Sequence, residues 1–238
     1  AGIIEGNTSF VIQRKSATGD MWRIQYPKAP EGLTPIKTTV FYHQAATGDR
    51  NNPMTETRWA SLRQGLESDN FSLLSCDDGG DRWGNPTSVA NYAALNDWFK
   101  SKVYSGKTYM LGCSMGGLTS LNTIRHGAIS DIAGIVLVSA VTDLIQMYRG
   151  SFVTDINTAW SCTNVTQLEA NSIGYDPISE SGALFDSASF LILASTTDTT
   201  VPTNLHSLPF HNNLQAAGVS SSLEYVASSG HLPAAGYN

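Results

Sequence analysis

Hydrophobic and polar positions alternate with strand and helix periods along most of this chain. Near the start, Phe10-Val11-Ile12-Gln13 and Trp22-Arg23-Ile24-Gln25-Tyr26 read as short strands on either side of a turn signal, Ala17-Thr18-Gly19-Asp20. Thr38-Thr39-Val40-Phe41-Tyr42 and Phe71-Ser72-Leu73-Leu74-Ser75 predict two more strands. Between them, Thr55 to Leu66 suits a helix with Trp59, Leu62 and Leu66 on one face. Asn85-Pro86 has the form of an N-cap followed by proline at the first helical position. The helix it opens carries Val89, Tyr92, Leu95, Phe99 and Val103 along one stripe. Lys107 to Leu111 is strand-like and Met115 to His126 helix-like. Ile132 to Val141 and Phe190 to Ala194 are continuous apolar runs, the pattern of strands buried on both faces. Asn204 to Ala217 predicts a helix interrupted or started late by Pro209, and Leu223 to Val226 a closing strand.

Strands and helices that alternate at these lengths imply an α/β fold: a mostly parallel central sheet with helices on both faces. Length favours a single domain over residues 1–238, with neither repeat nor linker. The stretch from Thr142 to Ala188 breaks the pattern, being long, polar and weakly periodic. An insert of that size between two core strands predicts a lid or cap at 142–188.

Composition narrows the partners. The apolar fraction of 41% is ordinary, but only 14% of residues are charged, against a usual value of about 25%. Ser, Thr, Asn and Gly supply the missing polarity, a balance that slightly favours an extracellular or surface-associated protein. A net charge of −6 without any Lys/Arg cluster argues against nucleic acid or an anionic membrane as partner. No apolar run approaches the roughly 18 residues of a membrane span. The chain begins Ala1-Gly2 with no Met, as a mature form or an excised domain would. Cys76, Cys113 and Cys162 are too few for a disulfide framework, and Cys76–Cys162 is the pairing to test. No Cys/His spacing suits zinc, so neither metal nor cofactor is expected.

The chemistry is carried by Gly112-Cys113-Ser114-Met115-Gly116-Gly117, which lies between the strand-like and helix-like runs. Strand, tight turn and helix around G-x-S-x-G is the setting of a nucleophile elbow. The glycines two positions before and after Ser114 let backbone pass close by. The following helix aims its N-terminal amides at the place where negative charge develops in acyl transfer. A serine hydroxyl needs a general base. Of the five histidines, His231 follows the last predicted strand, so its loop reaches the crevice at the carboxyl edge of the sheet. The base needs an acid, and Asp198 follows the strand Phe190–Ala194. Asp143, after the strand that begins at Ile132, is its competitor, whereas Asp176 and Asp186 read as solvated. For an oxyanion hole, one N–H is expected from Met115. The second is expected from Ala45, or failing that Gln44, in His43-Gln44-Ala45-Ala46-Thr47-Gly48.

From about Thr38 to His231 this ordered set resembles the α/β-hydrolase superfamily. Its strongest elements are Gly112–Gly116, Asp198 with Val201-Pro202, and Gly230-His231. The resemblance implies an α/β-hydrolase fold and a Ser114–Asp198–His231 triad. His43 to Gly48 looks like the family's oxyanion loop, with Gln44 where glycine is usual. The chain also ends seven residues beyond His231, which leaves no room for the family's usual final helix.

Three functions compete. The leading one is a serine hydrolase that cleaves small-molecule or polymer-linked carboxylic esters through an acyl-enzyme. A peptidase of the prolyl-oligopeptidase type shares the triad order, though the chain lacks room for that family's extra propeller. A hydrolase-like binding module of a larger surface or phage tail assembly also fits the composition. Trp83 and Trp160 are candidate substrate contacts or packing aromatics, and Asp77 to Asn85 is a polar substrate rim or a solvated turn. Asn7-Thr8-Ser9, Asn70-Phe71-Ser72 and Asn164-Val165-Thr166 match the glycosylation pattern, which matters only in a secreted eukaryotic protein.

Overall fold

A computed structural model describes residues 2–5, 9–15, 21–27, 36–101, 105–226 and 230–232. Nine strands form one sheet: β1 (Gly2–Glu5), β2 (Ser9–Lys15), β3 (Met21–Pro27), β4 (Ile36–His43), β5 (Phe71–Cys76), β6 (Ser105–Cys113), β7 (Ile132–Val138), β8 (Ser189–Ala194) and β9 (Ser221–Tyr225). Their spatial order is β1-β2-β3-β5-β4-β6-β7-β8-β9. The first three run antiparallel, and from β5 onward every neighbouring pair is parallel. The mostly parallel α/β architecture expected from the pattern is the one observed. The turn signal at 17–20 and Val103 lie outside the described residues.

The α-helices among the described residues are α1 (Asn52–Thr55), α2 (Ala60–Ser68), α3 (Pro86–Lys100), α4 (Gly116–Arg125), α5 (Leu144–Tyr148), α6 (Val153–Trp160), α7 (Val165–Asn171) and α8 (Ser207–Ala216). Asn85 caps α3 by accepting the Ser88 N–H at 3.0 Å, and the stripe Val89, Tyr92, Leu95 and Phe99 is buried. Where one helix was expected over 55–66, α1 ends at Thr55 and a 3₁₀ turn, Thr57–Trp59, leads into α2, because Glu56 is extended, with ψ at 136°. The Arg63 guanidinium takes up the carbonyls of Pro53 and Glu56 at this break, at 3.1 and 2.8 Å. The expected apolar face survives: Trp59, Leu62 and Leu66 share one cluster with Tyr42 and Leu73.

Residues 142–188 are better ordered than their sequence suggests. They form α5, α6, α7 and two 3₁₀ turns, Pro177–Ser179 and Gly182–Phe185. The helices are short, and two of them are started by side-chain caps: for α5 Asp143 accepts from Gln146 N–H at 2.7 Å, and for α7 Asn164 accepts from Gln167 N–H at 3.0 Å. Leu144, Met147, Ile156, Trp160 and Leu168 pack with Trp83, Met115 and Val201 in one apolar cluster that ties the insert to the elbow. Asp176, read as solvated, is buried and accepts the Leu144 N–H at 2.8 Å. Cys76, Cys113 and Cys162 are all buried and form no disulfide, so the Cys76–Cys162 bridge is absent. No helix among the described residues is long and apolar enough to cross a membrane.

Candidate active site

Ser114 closes the turn between β6 and α4 with φ at 51°, a left-handed conformation that costs a serine about 1 kcal/mol or more. The surroundings over-determine it. Its N–H donates to Val138 C=O at 3.0 Å, and its own carbonyl accepts from Val141 N–H at 2.8 Å and Gly117 N–H at 2.9 Å. A Cβ at Gly112 would lie 2.8 Å from the Gly116 carbonyl oxygen, and one at Gly116 would lie 2.8 Å from the Gln44 carbonyl oxygen. Both positions therefore exclude any side chain, and Gly116 brings α4 into contact with the His43–Gln44 backbone.

His231 Nε2 is 2.7 Å from Ser114 Oγ, and His231 Nδ1 is 2.7 Å from Asp198 Oδ2. A carboxylate only accepts, so Nδ1 must carry the ring proton, which leaves Nε2 to accept from the serine hydroxyl. Asp198 is itself held by two backbone amides, Thr200 and Val201 N–H donating to Oδ1 at 2.9 Å each. Burial alone would raise its carboxyl, but the hydrogen bonds from His231, Val201 and Thr200 and the His231 charge outweigh it, and the group sits below its ordinary value. Ser139 Oγ donates to the His231 carbonyl at 2.7 Å and so fixes the histidine loop against the end of β7. Ser139 was not picked out in the sequence, and nothing local to it signals that contact.

The remaining candidates separate cleanly. Asp143 is the α5 cap. His43 is fully buried, with Nδ1 2.7 Å from Ser120 Oγ, its ring against Tyr92 and its basicity pushed down to about 3 by burial. His126 lies against Gly174 C=O at 2.9 Å, and His211 against Ser221 Oγ at 2.9 Å. His206 is buried and lowered to about 4, mainly by desolvation.

Met115 begins the turn into α4, and Ala45 follows the end of β4 beside Gly116. Neither N–H donates a hydrogen bond to another described residue. The Gln44 side chain turns away, its Nε2 donating to Asp77 C=O at 3.0 Å. Within the segment from Asp77 to Asn85, Gly79 and Gly80 are exposed, as in a solvated turn, but the three acids are engaged. Asp77 pairs with Arg50, Asp78 accepts from Ser88 and Asn91, and Asp81 accepts from Thr47 N–H. Trp83 and Trp160, candidate substrate contacts, are only 1% and 5% exposed and present no open face. Beside the Asp198 loop is a groove of about 440 Å³, lined by Met147, Phe152, Thr199, Thr200, Pro202 and Leu205 among others, none of them charged. Trp83 backs its wall, its ring 5.0 Å from that of Phe152.

Residues 77–238, more than half of the chain, match the model of the prolyl oligopeptidase family. The chain belongs to that family. It is thus a serine hydrolase of the α/β-hydrolase superfamily. The fold is shared with a puromycin-hydrolyzing peptidase of Mycobacterium tuberculosis (TM-score 0.72, 16% identity, covering 95% of this chain and 36% of that one). It is shared as well with an acylaminoacyl peptidase of Pyrococcus horikoshii (0.70, 13%, 95% and 38%). An acetyl xylan esterase from Paenibacillus sp. R4 is also similar (0.69, 13%, 97% and 82%). The chain therefore spans little more than a third of the two peptidases and most of the esterase. A search of curated proteins found no match.

Proposed function

We propose that this family member hydrolyses carboxylic esters through an acyl-enzyme. The observation that carries the reading is one imidazole, His231, in hydrogen-bond contact with Ser114 on one nitrogen and Asp198 on the other, at 2.7 Å each. In the proposed mechanism, Ser114 Oγ attacks the ester carbonyl carbon as His231 Nε2 takes its proton. Asp198 stabilises the resulting imidazolium and keeps the ring in register. The oxyanion is received by the N–H groups of Met115 and Ala45, with Gln44 N–H as the alternative second donor. His231 then passes its proton to the departing alkoxide. Water, deprotonated by the same ring, attacks the acyl-Ser114 carbonyl, and the acid leaves with Ser114 restored. The chain's own groups account for every proton moved.

The uncharged groove beside Asp198 suits the neutral part of a small-molecule or polymer-linked ester. In this reading Trp83 and Trp160 support its wall instead of touching substrate. The family match favours a second substrate class, peptide amides, which the same three side chains could cleave with the proton going to the leaving amine. The experiment is a comparison of wild type and Ser114→Ala on p-nitrophenyl esters of increasing acyl length and on aminoacyl p-nitroanilides. Ester turnover that falls by about four orders of magnitude or more in the variant supports the proposal, and unchanged turnover overturns it. Faster anilide than ester hydrolysis would select the peptidase reading. A fluorophosphonate probe addresses the third possibility, since a pure binding module of a larger assembly should not be labelled at Ser114.

A further inference from the structure

We propose that Asp81 is a positioning residue that aims the oxyanion loop from outside that loop. This rests on the assignment of Ala45 as an oxyanion donor. Residues 44–48 form a tight turn closed by Gly48 N–H donating to Ala45 C=O at 3.0 Å. The turn requires φ of 62° at Thr47, and a β-branched residue adopts that region only under constraint. The Gly48–Ala45 bond closes the turn without engaging the Thr47 amide. The Thr47 N–H instead donates to Asp81 Oδ1 at 2.8 Å, across 34 residues of sequence. The half-buried Asp81 carboxyl is pushed up by burial, and the hydrogen bond from Thr47 counters that rise while the Asp155 charge adds to it.

Both flanks of the loop are also tied to the same strand-to-helix segment. Gln44 Nε2 donates to Asp77 C=O at 3.0 Å, and Arg50 N–H donates to Asp77 Oδ1 at 3.0 Å, with the Arg50 guanidinium paired to the same carboxylate. Ala45 thus sits between two anchors, both provided by residues 77–81. Gln44, which departs from the superfamily's usual glycine, acquires a reason: its amide is one of the anchors. Asp81 is the anchor that acts on the strained residue itself. Releasing it should let the Ala45 N–H drift from the line of the forming oxyanion while leaving the groove beside the Asp198 loop, which no residue of 44–48 or 77–81 lines, as it is.

The test compares Asp81→Ala with Asp81→Asn, whose amide oxygen still accepts from Thr47. On the ester that wild type hydrolyses best, Asp81→Ala should lower kcat by about ten- to a hundred-fold with KM within about two-fold. Labelling by a fluorophosphonate should slow in proportion, and Asp81→Asn should restore most of both rates. The inference is overturned if Asp81→Ala keeps kcat within two-fold of wild type, if its loss appears in KM alone, or if Asp81→Asn loses as much as Asp81→Ala. Should the alanine variant not fold, Asp81→Ser, too short to reach Thr47, replaces it. A wild type that neither turns over esters nor reacts with the probe would instead refute the proposed function, and this inference with it.

Discussion

Two loops flank Ser114, and they are held in opposite ways. The loop that carries Asp198 is almost self-sufficient. Asp198 N–H donates to Ser195 C=O at 3.2 Å, Thr197 N–H to Ser195 Oγ at 3.3 Å, and Thr203 Oγ1 to Ser195 C=O at 2.8 Å. The Thr200 and Val201 amides hold Asp198 itself. All these partners fall within nine consecutive residues. The proposed oxyanion loop, residues 44–48, by contrast, makes one bond of its own, and borrows its support from residues 77–81 and from the α4 backbone beneath it. A general base must find its acid whenever the ring protonates, and a self-held loop secures that contact without reference to the rest of the fold. An oxyanion donor has to match a point fixed by the elbow, so its loop is best indexed to elements that share the elbow's frame.

The largest effect should come from the self-held side. In Asp198→Asn the amide oxygen can still accept from Thr200 and Val201, so the loop keeps its shape. The NH₂ group then faces His231 Nδ1 and can only donate. That places the ring proton on Nε2, where it cannot take the proton from Ser114. We expect kcat to fall by about 10⁴ with the melting temperature within a few degrees of wild type. A comparable loss of stability would mean that the loop depends on the charge of Asp198 and is not self-held.

Gly116→Ala probes the other side. Its new Cβ would meet the His43 carbonyl carbon at 2.5 Å and the Gln44 carbonyl oxygen at 2.8 Å, backbone atoms that cannot rotate away. We expect a loss of about 3 kcal/mol or more in chemical denaturation. A shift of under 1 kcal/mol would show that the oxyanion loop can slide, contrary to an indexed loop.

What could be seen in the sequence divides along the same line. Gly112, Ser114 and Gly116 sit within five residues, and Asp198 and His231 each follow an apolar strand, so order along the chain was enough to nominate them; the structure then brings the three polar groups into contact. The parallel sheet was legible because β7 and β8 are continuous apolar runs. The Thr47–Asp81 and Ser139–His231 contacts join residues 34 and 92 apart, and no periodicity encodes them. The insert was opaque for another reason: helices of five to eight residues are too short for a 3.6-residue period to show. Its caps at Asp143 and Asn164 were readable, and could have been read. For Trp83 the sequence left substrate contact and packing both open, and the contacts that bury it come from insert residues some sixty or more positions away.

Asp176 offers a milder, pH-dependent test of non-local support. It ties the later part of the insert to the first turn of α5 from 32 residues away. Burial raises its carboxyl to about 7, the Leu144 hydrogen bond opposing this and the Asp143 and Glu180 charges adding to it. The folded value thus lies above the unfolded one. Stability attributable to this group is complete below the unfolded pKa of about 4, and is lost as pH rises from there to about 7. Asp176→Asn keeps an acceptor for Leu144 without the charge. It should melt close to wild type at pH 4 and be more stable at pH 8, by on the order of 1–2 kcal/mol. Parallel melting curves for the two proteins across that range would place the ionised carboxylate at no disadvantage.

The smallest effect is expected inside the self-held loop. Thr203→Val removes the hydroxyl that donates to Ser195 C=O and keeps the side chain's shape. One hydrogen bond in a half-buried setting is worth about 1 kcal/mol of stability. Asp198 should stay in place because Ser195 still receives the Asp198 amide, and the Thr200 and Val201 amides still grip the carboxylate. Activity should therefore change by less than about two-fold while the melting temperature drops by a few degrees. Set beside Asp81→Ala, where one lost hydrogen bond is expected to lower kcat with little change in KM, this pair isolates redundancy as the variable. A fall in kcat for Thr203→Val as large as that for Asp81→Ala would mean that the loop's internal bonds act in series rather than in parallel, and the contrast between the two flanks of Ser114 would disappear.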